Sequence, residues 1–192
     1  MTDTGLILSI EDYLKDAFKN KPSRLQHIYN VKKVAITLGN IYHVDIPSVI
    51  VASYLHDATK MLSDEENIAL AGDLFPKDQP PACAHAYAAA KVAQTTFKID
   101  DQDILNAIMY HCSGRKNMST LEKVIFVSDF IEEGREFPNS KVRLLAHQHL
   151  DRALYEVMIL TKKYITDSNQ KLSSLTEEAI KYYQKEVEGL ND

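Results

Sequence analysis

The chain has 192 residues, 45% hydrophobic and 26% charged, which suits one globular domain with a proper core and excludes a disordered chain. Its 22 basic and 27 acidic residues leave a formal net charge of −5, a balance with no electrostatic footprint for non-specific nucleic-acid binding. No window approaches about 18 uncharged apolar residues, so nothing is expected to span a membrane.

Helical signals are frequent and alternating strand-like patterns scarce. Ser9 with Asp12 reads as an N-terminal cap, and Ile10, Leu14, Ala17 and Phe18 then share one face before Asn20 and Pro22 end the helix. A second helix is predicted over residues 23–42, with His27, Val31, Val34 and Leu38 on one stripe. Asp45 and Pro47 start the next one, which runs through VIVASYLHD and is apolar nearly all round, so it belongs at the centre.

Ser63 and Glu66 form a capping box for a short helix ending near Gly72, and Pro76, Pro80 and Pro81 mark a loop. An alanine-rich helix over 82–97 follows, then one capped by Asp100 or Asp101 that ends at His111. Ser119 with Glu122 is another capping box, for a helix stopping at Gly134. A long helix is predicted over 142–165 and a last one from Ser174, with Glu177 as its box partner. The expectation is an all-α bundle of about eight helices forming a single domain over 1–192. The two cysteines, Cys83 and Cys112, build no disulfide framework, and the N-terminal stretch lacks the basic start of a signal peptide, so a reducing cytoplasm is the expected location.

The chemistry-bearing residues stand out against this apolar background. His56-Asp57 ends the most apolar helix, and both side chains are costly to bury unpaired. They are either a polar pair at a helix end or two ligands for a divalent metal. His27 lies on the core-facing stripe of the preceding helix and can reach the same ion, since consecutive helices tend to be neighbours. Asp129 sits in the apolar run LEKVIFVSDFIEEG; a carboxylate there either finds a cation or a donor, or faces solvent beside Glu132 and Glu133. His111 shares a helix face with Ile104, Ala107 and Ile108, so it points inward from a helix end.

In this order, His27, His56-Asp57 and Asp129 resemble the HD phosphohydrolase superfamily. HDATK at 56–60, the isolated His85 and YHCSGRKNMSTLEKVIFVSDFIEEGR at 110–135 resemble the motifs of its YqeK family, over roughly residues 23–145. That resemblance implies a metal-dependent hydrolase that cuts diadenosine tetraphosphate and related dinucleoside polyphosphates symmetrically into nucleoside diphosphates such as ADP or GDP. It implies metal ligation by His27, His56, Asp57 and Asp129. The implied metal is iron, and two His with two Asp also suit manganese, cobalt or zinc. It further implies that Asp57, His85 and His111 carry the chemistry, with His27, Asp57, His85, His111, Cys112, Asp129 and Arg135 facing substrate. One of His85 and His111 would protonate the leaving diphosphate, and Arg135 would make a bidentate phosphate contact.

Lys60 is read either as a point charge toward phosphate or as a bridge to a nearby acid, and Arg115 as a weaker candidate of the same kind. Glu122 is read as a capping residue first. His43, His147 and His149 are assigned no role. Two positions depart from the family: Cys112 stands where a threonine is common, and Ser173-Ser174 stand where a His-Pro pair precedes the last helix. Two other functions fit the same residues. One is an HD phosphohydrolase acting on a nucleoside monophosphate, an alarmone or a cyclic dinucleotide; the other is a non-catalytic nucleotide-binding regulator. Apolar surface on the terminal helices is compatible with a homodimer, and no direct nucleic-acid partner is expected.

Overall fold

Local side-chain capping sets about half of the helix starts. In the computed structural model, which describes residues 4–135 and 140–189, the chain forms α1 (Thr4–Ala17), α2 (Pro22–Ile41), α3 (Ile46–Leu55), α4 (Asp64–Ala71) and α5 (Ala84–Thr95), followed by α6 (Gln102–Tyr110), α7 (Thr120–Ile131), α8 (Ser140–Gln148), α9 (Leu150–Asp167) and α10 (Ser174–Gly189). There is no strand among the described residues. Two of the three expected capping boxes form, Ser63 with Glu66 at α4 and Ser119 with Glu122 at α7. At α10 the cap is Ser173, whose hydroxyl accepts from the Leu175 amide, while Ser174 is the first helical residue and its hydroxyl donates to Asp78 instead of forming a box with Glu177. Asp45 accepts from the Ser48 amide at α3, and Asp101, not Asp100, caps α6. Within the described residues α1 begins at Thr4, earlier than the Ser9 cap predicts; the Ser9 hydroxyl instead donates back to the Leu6 carbonyl inside the helix.

The apolar helix α3 is central, as its pattern requires. Val49, Val51, Ala52, Ser53, Tyr54 and Leu55 are all buried, and α1, α2, α6 and α7 pack against it. Gly39 allows the close approach of α2, because a Cβ there would meet Val49 Cγ2 at 3.0 Å and Ile46 Cδ1 at 3.2 Å. On one flank α4 packs on α5, which packs on α6; on the other, α9 rests on α7 and carries α8 and α10. The consequence for function is that α2, the end of α3, the start of α5, the end of α6 and α7 meet along one seam.

The predicted helix over 142–165 is two helices, which brings the described total to ten where about eight were expected. The break falls at His149, whose φ of −148° and ψ of 87° are not helical. Tyr42 explains it: its hydroxyl donates to the Ala146 carbonyl at 2.8 Å and accepts from the Leu150 amide, the two groups that a continuous helix would bond to each other. Tyr42 lies 104 residues away in sequence, so no local pattern could announce the break. Arg143 in α8 also ties the helix back to the carbonyls of Ile131 and Glu132 at the end of α7.

Gly114 is the second glycine the fold requires. It has a φ of +63°, and a Cβ would lie 2.6 Å from Met158 Cε and 3.3 Å from Phe126 Cε2. Gly114→Ala is expected to destabilise the protein by about 1–2 kcal/mol. That would lower the thermal midpoint by about 3–6 °C in a calorimetric scan; an unchanged midpoint would contradict this account.

Candidate metal centre

Four histidines from four different helices share one hydrogen-bonding design. His27 Nδ1 is 3.2 Å from Glu132 Oε1, His56 Nδ1 2.6 Å from the Ser53 carbonyl, His85 Nδ1 2.8 Å from the Ala82 carbonyl and His111 Nδ1 2.7 Å from the Ile108 carbonyl. A carbonyl can only accept, so Nδ1 carries the proton in the last three rings and Nε2 is left to face inward. For three of them the partner is the carbonyl three residues back, a local contact available because each histidine stands within or just at the end of a helix.

The Nε2 atoms gather around two carboxylates. Asp57 Oδ2 is 3.7 Å from His27 Nε2 and 4.0 Å from His56 Nε2, while Asp57 Oδ1 is 3.3 Å from His85 Nε2 and 3.6 Å from His111 Nε2. Asp129 Oδ1 is 3.1 Å from His27 Nε2 and 4.0 Å from His56 Nε2. Three groups of potential ligands thus interlock: His27, His56 and Asp57; His56, His111 and Asp129; and Asp57, His85 and His111.

This crowding sets the charge states. Burial alone works against ionisation of Asp57, yet contacts from His111 and His85 hold its carboxyl well below the usual carboxylate range. Burial likewise opposes ionisation of Asp129, and His27, His56 and Arg135 hold it low. Burial pushes His56 down to about 4. It also works to lower His27 and His111, but Asp129 outweighs it for the first and Asp57 for the second, so both are raised above the ordinary imidazole value.

The donor set fits a divalent cation. His27 Nε2 and His56 Nε2 are buried and have no hydrogen-bond partner of acceptable geometry, although carboxylate oxygens surround them. Orphaned buried nitrogens are costly unless something else satisfies them. Histidines fixed at one nitrogen by a carbonyl or carboxylate, with the other nitrogen free, match the usual arrangement of metal-binding imidazoles. His27, His56, Asp57 and Asp129 could hold an ion, with His85 and His111 placed for a second ion or for substrate.

The sign of the pH dependence follows. Below the raised pKa values of His27 and His111 a proton sits on Nε2 and competes with the metal; above them the lone pair is free. Metal affinity is therefore expected to fall about tenfold or more for each pH unit on the acid side of those values. Calorimetric titration in two buffers of different ionisation enthalpy should show proton release on binding; a pH-independent affinity would refute this.

A cavity of about 250 Å³ opens onto the cluster, lined by Asp57, His85, His111, Cys112 and Asp129, by the cations Arg24, Lys60 and Arg135, and by Phe126, Phe130, Val157, Thr161 and Tyr164. Asp57, His85, His111, Cys112, Asp129 and Arg135 line this cavity, and His27 and His56 lie in the cluster beneath it. Arg135 donates to Asp129 Oδ1 at 2.8 Å and to the Asp129 carbonyl at 3.2 Å, so it sits over a candidate ligand. Lys60 Nζ is 3.2 Å from His85 Nε2, the ring nitrogen left able to accept, which makes its partner a histidine instead of the acid considered from sequence.

Sequence reasoning missed two residues. Arg24 donates to Asp57 Oδ2 at 3.2 Å from the first turn of α2; it sits three positions before His27 and so shares its helix face, a signal that was available. Glu132 is buried and holds His27 Nδ1, the Asn30 amide at 2.9 Å and the Gly134 N–H. Only its neighbour Glu133 is the exposed carboxylate that the sequence suggested for both, paired with Lys33 at 2.9 Å. Arg115, the weak phosphate candidate, is engaged elsewhere: it grips Glu122 through two bonds of 2.7 and 2.9 Å and covers the Tyr110 ring. Ser173 and Ser174 bond to Gln79 and Asp78 instead of lining the cavity.

Comparison with known proteins matches the HD domain over residues 24–134. Among curated proteins, the chain is 36% identical over 152 residues to a protein of Bacillus subtilis named "Bis(5'-nucleosyl)-tetraphosphatase, symmetrical", covering 77% of this chain and 82% of that one. It is 30% identical over 178 residues to a Staphylococcus aureus protein of the same name, covering 88% and 91%. Among solved structures, a predicted HD superfamily hydrolase from Clostridium acetobutylicum, described as involved in NAD metabolism, superposes with a TM-score of 0.85 at 33% identity over 93% of this chain and 96% of the other. The shared cluster, the domain match and these relatives agree: this chain belongs to the HD-domain family and, within it, to the family of the symmetrical bis(5'-nucleosyl)-tetraphosphatases.

Proposed function

We propose that the protein, acting as one domain over 1–192, is a metal-dependent hydrolase that cuts diadenosine tetraphosphate and related dinucleoside polyphosphates into two nucleoside diphosphates, ADP from the adenine substrate. The observation that carries this reading is the convergence of four Nε2 atoms and two carboxylates at the floor of a cavity rimmed by Arg24, Lys60 and Arg135. A divalent ion held by His27, His56, Asp57 and Asp129 would supply Lewis acidity toward a phosphoryl oxygen and a lowered pKa for attacking water. Iron is the metal proposed from the family resemblance; the donors also suit manganese, cobalt or zinc.

The chain's own residues supply the rest. Arg24, Lys60 and Arg135 offset the charge of the polyphosphate, with the planar guanidinium groups suited to paired phosphate oxygens. Asp57 Oδ1 orients the Nε2 atoms of His85 and His111, 3.3 Å apart, where a proton held on one can pass to the leaving diphosphate oxygen. Cys112 contributes an edge of the cavity. Phe130 and Tyr164 form the apolar end, where a nucleobase can stack.

Tyr164 is largely exposed, so Tyr164→Ala should not disturb folding. Loss of one base–aromatic contact is expected to raise KM about 5–10-fold with little change in kcat. An unchanged KM would place the base elsewhere. The reading as a whole is tested by hydrolysis of diadenosine tetraphosphate with each metal restored in turn, followed by nucleotide chromatography. ADP as sole product is expected; ATP with AMP would overturn symmetrical cleavage. Turnover only of another nucleotide in a substrate panel would move the assignment within the HD enzymes. No helix among the described residues is long and apolar enough to cross a membrane, and we place the protein in the cytoplasm. A homodimer is the proposed assembly, drawing on exposed apolar residues such as Leu8 on α1; sedimentation showing only monomer would remove it.

A further inference from the structure

The only two cysteines of the chain lie side by side at the edge of the cavity, with Cys112 Sγ 3.6 Å from Cys83 Sγ across 29 residues of sequence. Both are free thiols; Cys83 is buried and Cys112 reaches the cavity. Cys83 ends the short 3₁₀ turn at Pro81–Cys83, two residues before His85, and Cys112 directly follows His111. A disulfide needs the sulfurs at about 2.05 Å, a closure of about 1.5 Å from contact.

We propose that Cys83 and Cys112 are a modification site, a dithiol that a small peroxide oxidises to a disulfide that disables the adjacent histidine pair. One of the two thiols reacts first: its sulfur forms a bond to one peroxide oxygen as the O–O bond breaks, giving a sulfenic acid and one water from hydrogen peroxide. The other sulfur then attacks it. The S–S bond forms, the S–O bond breaks, and the departing oxygen leaves as a second water with the attacking thiol's proton. Two thiols are oxidised and one peroxide is reduced to two waters.

Pulling the sulfurs together moves the turn before α5 or the turn after α6, and with it His85 or His111. Their Nε2 atoms are 3.3 Å apart and share Asp57 Oδ1, so a displacement on the ångström scale breaks the arrangement. The expected loss of turnover is about tenfold or more, recovered when a thiol reductant reopens the bond.

The test uses full-length, zinc-loaded protein, because zinc takes no part in redox chemistry. It is treated with hydrogen peroxide, then with a maleimide, and read by intact-mass and non-reducing peptide mass spectrometry. The expected product is a single chain lighter by two hydrogen atoms, unreactive toward maleimide, with Cys83 and Cys112 in one linked peptide that dithiothreitol separates. Cys83→Ala should show no linked peptide and should accumulate oxidised Cys112. Disulfides between chains, or over-oxidised thiols without the link, would overturn the proposal. So would linked protein that hydrolyses at the rate of the reduced form. The mass change is read without any turnover, so failure of the hydrolase assignment and failure of the dithiol are distinguished.

Discussion

Asp57→Asn is expected to reduce hydrolysis by on the order of 10³-fold or more while leaving the helical content unchanged. Asparagine keeps the size and planarity of the side chain but removes the charge. Asp57 touches Arg24 at 3.2 Å and stands within 3.3–4.0 Å of the Nε2 atoms of four histidines. It is therefore both a candidate metal ligand and the group that orients His85 and His111. The variant should also lose bound metal, measured by elemental analysis of the purified protein beside its circular dichroism. A folded variant that keeps its metal and hydrolyses within about tenfold of wild type would remove Asp57 from the centre.

The second large effect is expected at a residue that touches no substrate. Glu132→Gln should weaken metal binding about 10–100-fold. The carboxylate holds His27 Nδ1, and the same side chain receives the Asn30 amide and the Gly134 N–H. An amide in its place has one acceptor oxygen for three donors, so His27 loses either its orientation or its basicity. Competitive titration with a chelating dye measures the affinity directly. Glu133→Gln is the matched control, because Glu133 is exposed and its pairing with Lys33 is a surface contact expected to contribute under about 1 kcal/mol. Equal metal affinities in the two variants would reduce Glu132 to an ordinary buried acid.

The residues that were legible and those that were not divide along sequence separation. Capping boxes at Ser63–Glu66 and Ser119–Glu122 were readable because both partners lie within one helical turn. The central place of α3 was readable because a helix that is apolar all round has nowhere else to go. His27, His56, Asp57 and Asp129 stood out as polar groups in apolar runs, which need partners whatever the fold. The role of Glu132 was not readable, since its partner His27 is 105 residues away and its neighbour Glu133 has the same chemistry but faces solvent. The engagement of Arg115 by Glu122 is the exception: it is local, seven residues apart, and was missed because the capping role of Glu122 already accounted for its carboxylate, whereas one carboxylate serves the helix cap and the guanidinium together.

By itself, then, the sequence determined the all-helical class, most helix starts and which side chains could not be buried alone, because those follow from periodicity, local hydrogen bonding and the cost of desolvating charge. Only the tertiary structure decided which of two adjacent glutamates supports His27, where Tyr42 breaks the helix before α9, and that Cys83 meets Cys112 beside the histidines. Each of those depends on two surfaces meeting across a large separation in the chain, and the packing of whole helices, with one residue's rotation deciding which face looks inward, selects the pair.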